Sequence, residues 1–228
     1  MKKIAISSAK GGVGKTTISY LIANKLKDEG LNVGLFDADL YGPNILNLFN
    51  IQAQNIVSSN DKKLIEPLLV NGIQVASVDL VLKKQETLFW RGPMMSKVLK
   101  GMFLNVNWKD VEVLIIDMPP GTGDPYLTIF NDLDINESLL VCSDELMSIE
   151  DTKKTVQLLN RFNKNIIGLI ENMSENFKLG QSIVESKNLK IHFHEIEIVG
   201  VLPRLSKKEI KNVYNNTIDI YKYLPDLS

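Results

Sequence analysis

The chain has 228 residues, 44% hydrophobic and 23% charged, with a formal net charge of −1 from 26 Lys+Arg against 27 Asp+Glu. That balance suits a globular protein large enough to bury a substantial core, and it excludes a disordered chain, a collagen-like repeat and a coiled coil. Near-neutrality argues against a broadly basic nucleic-acid binder, and the single cysteine, Cys142, forms no internal disulfide and alone makes no Cys₄ site within one subunit.

The N-terminus, Met1-Lys2-Lys3-Ile4, is basic. No long apolar run or small-residue cleavage site follows, so it does not read as a secretory signal. A short apolar strand is expected over 4–6, then a glycine-rich turn. A helix over 16–29 presents Ile18, Leu21, Ile22 and Leu26 on one face, and Gly30 ends it. A second strand is expected over 33–36. The stretch 44–71 is polar and irregular, and 73–78 is a weaker strand candidate. After Gly92-Pro93, the residues Met95, Val98, Leu99, Met102 and Phe103 form a second helical face. Strands follow over 113–116 and 139–142. A third helix carries Ile149, Val156, Leu159 and Phe162, with Ser148 as its expected cap and Asp151 three residues on. A strand over 166–170, a polar stretch over 172–190 and a strand over 199–202 complete the pattern. The Asn- and Tyr-rich tail, 215–228, reads as poorly ordered or packed on a partner.

Most of these strands are apolar on consecutive residues rather than alternating. That suits strands covered on both faces. The alternation of strand and helix predicts one α/β domain over 1–228: a doubly wound, mostly parallel sheet with helices on both faces. Ligands of such sheets bind at the C-terminal ends of the strands. The longest apolar runs are strand-sized, so no membrane span is expected, and a cytoplasmic location follows.

The strongest local signal is Ser8-Ala9-Lys10-Gly11-Gly12-Val13-Gly14-Lys15-Thr16-Thr17, between the first strand and the first helix. This is the setting of a phosphate-binding loop. Gly11, Gly12 and Gly14 let backbone N–H groups curl around phosphate oxygens, and the helix N-terminus adds partial positive charge. Lys15 would neutralise β/γ oxygens, and the Thr16 hydroxyl would ligate Mg²⁺. The run from Gly11 through Val13 to Thr17 is thus the predicted ATP site. Ala9 stands where the usual pattern has glycine, which is acceptable if that position needs no positive φ.

Asp37 and Asp39 follow the second strand two residues apart, so both carboxylates can face the nucleotide edge. One can hold a metal-bound water while the other orients the attacking water. Helix capping is the competing reading. Asp117 ends the apolar strand 113–116, the arrangement expected of a carboxylate near Mg²⁺. The loop after it, Met118-Pro119-Pro120-Gly121-Thr122-Gly123-Asp124, has a stiff root and two glycines, so it can change conformation when a phosphate leaves.

Lys10 before Gly-Gly-Val-Gly-Lys-Thr resembles the deviant Walker A ATPases, a group similar to MinD, ParA and the nitrogenase iron protein. Further motifs narrow the resemblance: Asp37-Ala38-Asp39-Leu40-Tyr41-Gly42-Pro43, Trp90-Arg91-Gly92-Pro93-Met94, the 117–124 loop and Glu171-Asn172-Met173-Ser174. Together they resemble the Mrp/ApbC-type iron–sulfur cluster carrier ATPases over most of the chain.

The resemblance implies a Mg²⁺-dependent ATP hydrolase, slow in turnover, working as a homodimer closed by ATP and serving iron–sulfur assembly partners or apoproteins. It implies that Lys10 reaches the partner's nucleotide in trans, that Asp39 positions water and that Asp37 supports the metal from behind. It implies that Asn172 hydrogen-bonds the adenine, with Pro203 and Arg204 flanking the base. Trp90 and Arg91 read equally as dimer surface or loop packing.

One departure stands out. The family's Cys-x-x-Cys should follow 171–174, yet 174–182 reads Ser-Glu-Asn-Phe-Lys-Leu-Gly-Gln-Ser. A bound iron–sulfur cluster therefore lacks its usual ligands. The alternative is a MinD/ParA-like switch or scaffold that carries no cluster itself, alone or partnering a cysteine-bearing relative. Membrane binding is not expected, because 217–228 has one lysine and no amphipathic length. Lys207, Lys208 and Lys211 read as a solvated helix face. His192 and His194 alternate across Phe193 and would face one side of an extended strand, as half a metal site or as packing residues.

Overall fold

A computed structural model describes residues 1–51, 64–80, 92–175, 178, 186–212 and 225–227. The elements in order are β1 (Lys2–Ser7), α1 (Lys15–Asp28), β2 (Val33–Asp37), α2 (Ile45–Leu48), β3 (Leu68–Val70) and β4 (Ile73–Ser77). Then come α3 (Gly92–Asn105), β5 (Val113–Asp117), α4 (Asp124–Asp132), β6 (Glu137–Cys142) and α5 (Leu146–Arg161). Last are β7 (Asn165–Ser174), α6 (Lys187–His192), β8 (Ile198–Pro203) and α7 (Lys207–Asn212). The described strands form one sheet in the order β3-β4-β2-β5-β1-β6-β7-β8. Every pairing is parallel except β3 with β4. The expected doubly wound architecture is therefore present.

Successive side chains of a strand point to opposite faces, and here both faces are covered. Ile4, Ile6, Leu35, Val75 and Ile115 pack with α1 and α2. Ala5, Phe36, Ala76, Leu114 and Ile116 pack with α3, α4 and α5. All five residues of β2 and of β5 are buried, which is why their sequences do not alternate. Phe36 meets Phe103 of α3 edge-on, with centroids 5.2 Å apart, and fastens that helix to the sheet.

The terminus of α1 follows its sequence signal. Gly30 has φ +94, its N–H donates to the Lys27 carbonyl, and Leu31 N–H reaches back to Leu26. Other expectations need correction. Ser148 does not cap the third helix. That helix starts at Leu146, and Ser148 Oγ, buried in the first turn, accepts the Ser143 N–H at 3.0 Å. Part of the expected irregular stretch 172–190 is regular, since β7 runs to Ser174 and α6 starts at Lys187. Of the tail only 225–227 is described, and it packs on this chain: Leu227 is buried in the core, while Lys25 and Lys2 donate to the Pro225 and Leu227 carbonyls; the rest of 215–228 lies outside the described residues. His192 closes α6 rather than sharing a strand with His194, which is exposed beside Glu195. The pair forms no half-site on an extended strand. Trp90 and Arg91 lie outside the described residues.

Candidate functional site

Strands β1, β2, β5 and β7 all deliver their C-terminal ends to one edge of the sheet. A cavity of about 680 Å³ opens there. Among the described residues its walls bring together Gly11, Gly12, Gly14, Lys15, Thr16, Thr17 and Asp39. Asn47, Leu48 and Ile210, which the sequence did not single out, complete much of the wall with Met118 and Met173, which lie in two of the motifs but were given no role of their own.

The loop between β1 and α1 owes its shape to two glycines. Gly12 and Gly14 have φ of +80 and +89, a region costly for residues with a Cβ. Ala9 is not among the positive-φ residues, so its methyl is tolerated. Its backbone N–H donates to Thr155 Oγ1 of α5 at 3.0 Å. Its carbonyl accepts the Gly121 N–H at 2.9 Å. The glycine loop is thereby tied directly to the loop after β5.

Behind the loop, Asp37 and Asp117 are register partners on β2 and β5, and both are buried. Ser19 Oγ donates to Asp117 Oδ1 at 3.1 Å, and the Thr16 hydroxyl also hydrogen-bonds to that carboxylate. Burial pushes the Asp117 carboxyl up to about 6, although Thr16, Lys15 and Ser19 pull against it. Burial likewise raises Asp37, and the charge of Asp117 adds to the rise. Asp37 accepts N–H groups from Asp39 at 3.1 Å, Asn44 at 3.2 Å and Ile45 at 3.3 Å, so it also organises the loop into α2. Asp39 Oδ1 accepts the Tyr41 and Gly42 N–H groups, each at 3.1 Å.

Lys15 is buried, and desolvation lowers its pKa while Asp117 and Asp39 oppose that. Its Nζ donates to the Lys10 carbonyl at 3.2 Å. The electrostatics form one unit, in which buried carboxylates crowd one another beside one buried ammonium. A hard divalent cation held by Thr16 and Asp117 oxygens fits this donor set, with water and phosphate completing its shell. Among the described residues, no three His, Cys, Asp or Glu side chains converge as an all-protein metal cage.

The remaining predicted residues stand around this centre. The Lys10 ammonium pairs with Glu145 at the start of α5. The hydrogen bond and then the charge of Lys10 hold the Glu145 carboxyl below its ordinary range, with a smaller contribution from Arg204. Glu145 carried no motif and was not anticipated. Val13 packs in the core beneath the loop. Asn172 is also beneath it, its amide donating to the Val13 carbonyl at 2.7 Å. Pro203 is buried at the end of β8, while Arg204 is exposed with a guanidinium nitrogen 4.0 Å from Glu175. Neither lines the described cavity.

Residues 1–193 match the ParA family model of NUBPL iron-transfer P-loop NTPases. This chain belongs to that family. An iron–sulfur cluster carrier protein of Helicobacter pylori is 33% identical over 206 residues, which is 88% of this chain and 56% of that protein. One of Rickettsia bellii is 37% identical over 207 residues, 90% of this chain and 63% of that protein. The chain thus spans little more than half the length of these relatives. Among solved structures, a nucleotide-binding protein of Archaeoglobus fulgidus in complex with ADP superposes with a TM-score of 0.75 at 28% identity. It covers 99% of this chain and 93% of its own. MinD of Pyrococcus horikoshii, solved with Mg-ADP, superposes at 0.65 and 20% identity, covering 89% of this chain and 81% of its own, and so shares the fold. For this NTPase family member, no helix among the described residues is long and apolar enough to cross a membrane.

Cys142 behaves unlike a ligand of a shared cluster. It ends β6 with no solvent exposure, its thiol 3.4 Å from Ser148 Oγ, and burial raises its pKa. A thiolate is the form that binds iron, and this environment opposes both ionisation and access.

Proposed function

We propose that this chain is a Mg²⁺-dependent ATP hydrolase that dimerises around ATP and serves the transfer of iron–sulfur clusters to apoproteins. The observation that carries this reading is the convergence of Lys15, Thr16 and Asp117 behind a glycine loop, with Asp39 across the same cavity. In the proposed mechanism, backbone N–H groups and Lys15 bind the phosphates, and Thr16 and Asp117 hold Mg²⁺. The cation would neutralise phosphate charge and relieve the repulsion among the buried carboxylates. Asp37 would fix the loop that carries Asp39, and Asp39 would orient the attacking water. Lys10 would leave Glu145 and supply positive charge to the partner's nucleotide, as an arginine finger does. Asn172, Pro203 and Arg204 remain the proposed base-side residues.

The burial of Cys142 favours a second reading of the cargo. The chain then acts as the ATP-gated switch, and the thiolates come from a cysteine-bearing relative or from the apoprotein. Phosphate release assayed with and without Mg²⁺, for wild type and Asp39→Asn, tests the hydrolase. Anaerobic reconstitution with iron and sulfide, with Cys142→Ser as control, tests the cargo. Iron near 4 per dimer in wild type, lost in that control, would restore autonomous carriage. No bound iron beside intact hydrolysis supports the switch.

A further inference from the structure

Asn172 occupies a place that base recognition alone does not explain. Its side chain is 3% exposed, and its Nδ2 donates to the Val13 carbonyl at 2.7 Å. A methyl group on Gly14 would collide with that same amide nitrogen. Gly14 is thus glycine for two reasons: its φ of +89 and the amide pressed against its α-carbon. The backbone next to Asn172 is held in an unfavourable form. Met173 has φ +61, in the left-handed region that is costly for a residue with a Cβ. The β7–β8 register also slips between Glu171 and Ser174. The end of β7 therefore departs from regular strand geometry where Asn172 meets the glycine loop.

The consequence follows from peptide geometry. In a trans peptide the carbonyl and the next N–H point to opposite sides, and no peptide here is cis among the described residues. Asn172 draws the Val13 carbonyl inward, so the Gly14 N–H is directed outward, toward the cavity that Gly14 lines. If that peptide flipped, a carbonyl oxygen would face the phosphates and repel them.

We infer that Asn172 is a positioning residue for the phosphate loop: its amide locks the Val13–Gly14 peptide with the N–H facing the phosphate site. This rests on the nucleotide-binding reading above and deepens it. Its effect is on phosphate affinity whatever base is attached, so a base-free ligand separates it from adenine recognition.

The experiment compares binding of MgATP and of inorganic tripolyphosphate to wild type, Asn172→Ala and Asn172→Leu. The leucine variant keeps the branched side-chain shape, removes the N–H donor and adds no charge, and it carries the measurement if the alanine variant does not fold. Hydrogen exchange across 13–15 is followed in parallel without ligand. Loss of the lock weakens both ligands by a similar factor, about tenfold, and speeds exchange in the loop. Tripolyphosphate binding within twofold of wild type, with ATP alone weakened, overturns the inference and leaves Asn172 a base reader. Wild type that binds neither ligand overturns the nucleotide reading instead. Hydrogen exchange then decides the lock by itself, and unchanged exchange in the variants rejects it.

Discussion

The phosphate loop and the surroundings of Cys142 lie on the same edge of one sheet, at the ends of β1 and β6, which pair directly. They differ in kind. Around the loop, ionisable groups are buried and crowded: Lys15 and Asp37 each feel the charge of Asp117 and of Asp39. Around Cys142 the partners are the Ser143 carbonyl and the hydroxyls of Ser148 and Thr152 in the first turns of α5, with one buried carboxylate, Glu171, on the neighbouring strand and no buried ammonium among the groups that act on the thiol. The first arrangement is costly unless a cation and phosphates arrive to neutralise it. The second is closed to solvent at the thiol, which donates to the Ser143 carbonyl at 3.2 Å. One region is built to take a ligand, and the other is built to pack.

The sharpest way to break this contrast is to disable the loop. Lys15→Ala or Asp39→Asn should lower MgATP hydrolysis by about 10²–10⁴-fold while leaving the fold intact. An activity within threefold of wild type would remove the loop from the chemistry. Lys10→Ala should cost a similar order if the lysine acts across a dimer. Mixing it with the hydrolysis-dead Lys15→Ala protein should then recover part of the rate, because one competent site can be assembled from the two chains. No recovery would argue that Lys10 works within its own subunit.

Asp117→Asn tests the cost of the crowded carboxylates. It should abolish Mg²⁺-dependent hydrolysis yet raise the melting temperature of the nucleotide-free protein, by about 3–6 °C. The same charge gives a pH dependence. Because Asp117 titrates at about 6 in the fold, above its unfolded value, its stabilising contribution is complete at low pH. It is lost as pH rises through about 6. The ligand-free protein should therefore melt higher at pH 5.5 than at pH 7.5, and this difference should shrink in Asp117→Asn, the remainder coming from Asp37, whose carboxyl is also raised by burial. A melting curve insensitive to that substitution would show the carboxylate is not strained.

Smaller effects sharpen the other side. Glu145→Gln frees Lys10 from its partner at the start of α5 and should change the hydrolysis rate only a few-fold, upward if Lys10 must detach to act. Cys142→Ser should leave bound iron and hydrolysis unchanged within twofold. Iron that falls with this substitution would overturn the contrast, since a packed thiol would then be a ligand.

Much of this was open to a reader of residues alone. Consecutive apolar runs such as Val113 to Ile116 announce strands buried on both faces, because alternation is needed only where one face meets water. The glycine loop announces itself because phosphate binding needs backbone N–H groups, a lysine and a hydroxyl at fixed spacing along a turn. Short elements escaped for the opposite reason. Helix α4, with Tyr126, Ile129 and Phe130 buried, spans only 9 residues directly after the 117–124 loop, too few to display a period. Ser148 looked like a cap because caps are named by residue type, whereas the helix start was set by Glu145, Leu146 and Met147.

The sequence by itself determined the sheet, the loop, the carboxylates that close β2 and β5, and the family, since each depends on residues adjacent in the chain. Only the tertiary structure decided that Asn172 lies under Val13, that Glu145 meets Lys10 and that Leu227 returns to the core beside Lys2 and Lys25. These contacts join residues separated by 135 to 225 positions. No local propensity encodes them: the parallel sheet gathers the ends of β1, β6 and β7 at one edge, while the tail returns to the start of β1 and the last turn of α1.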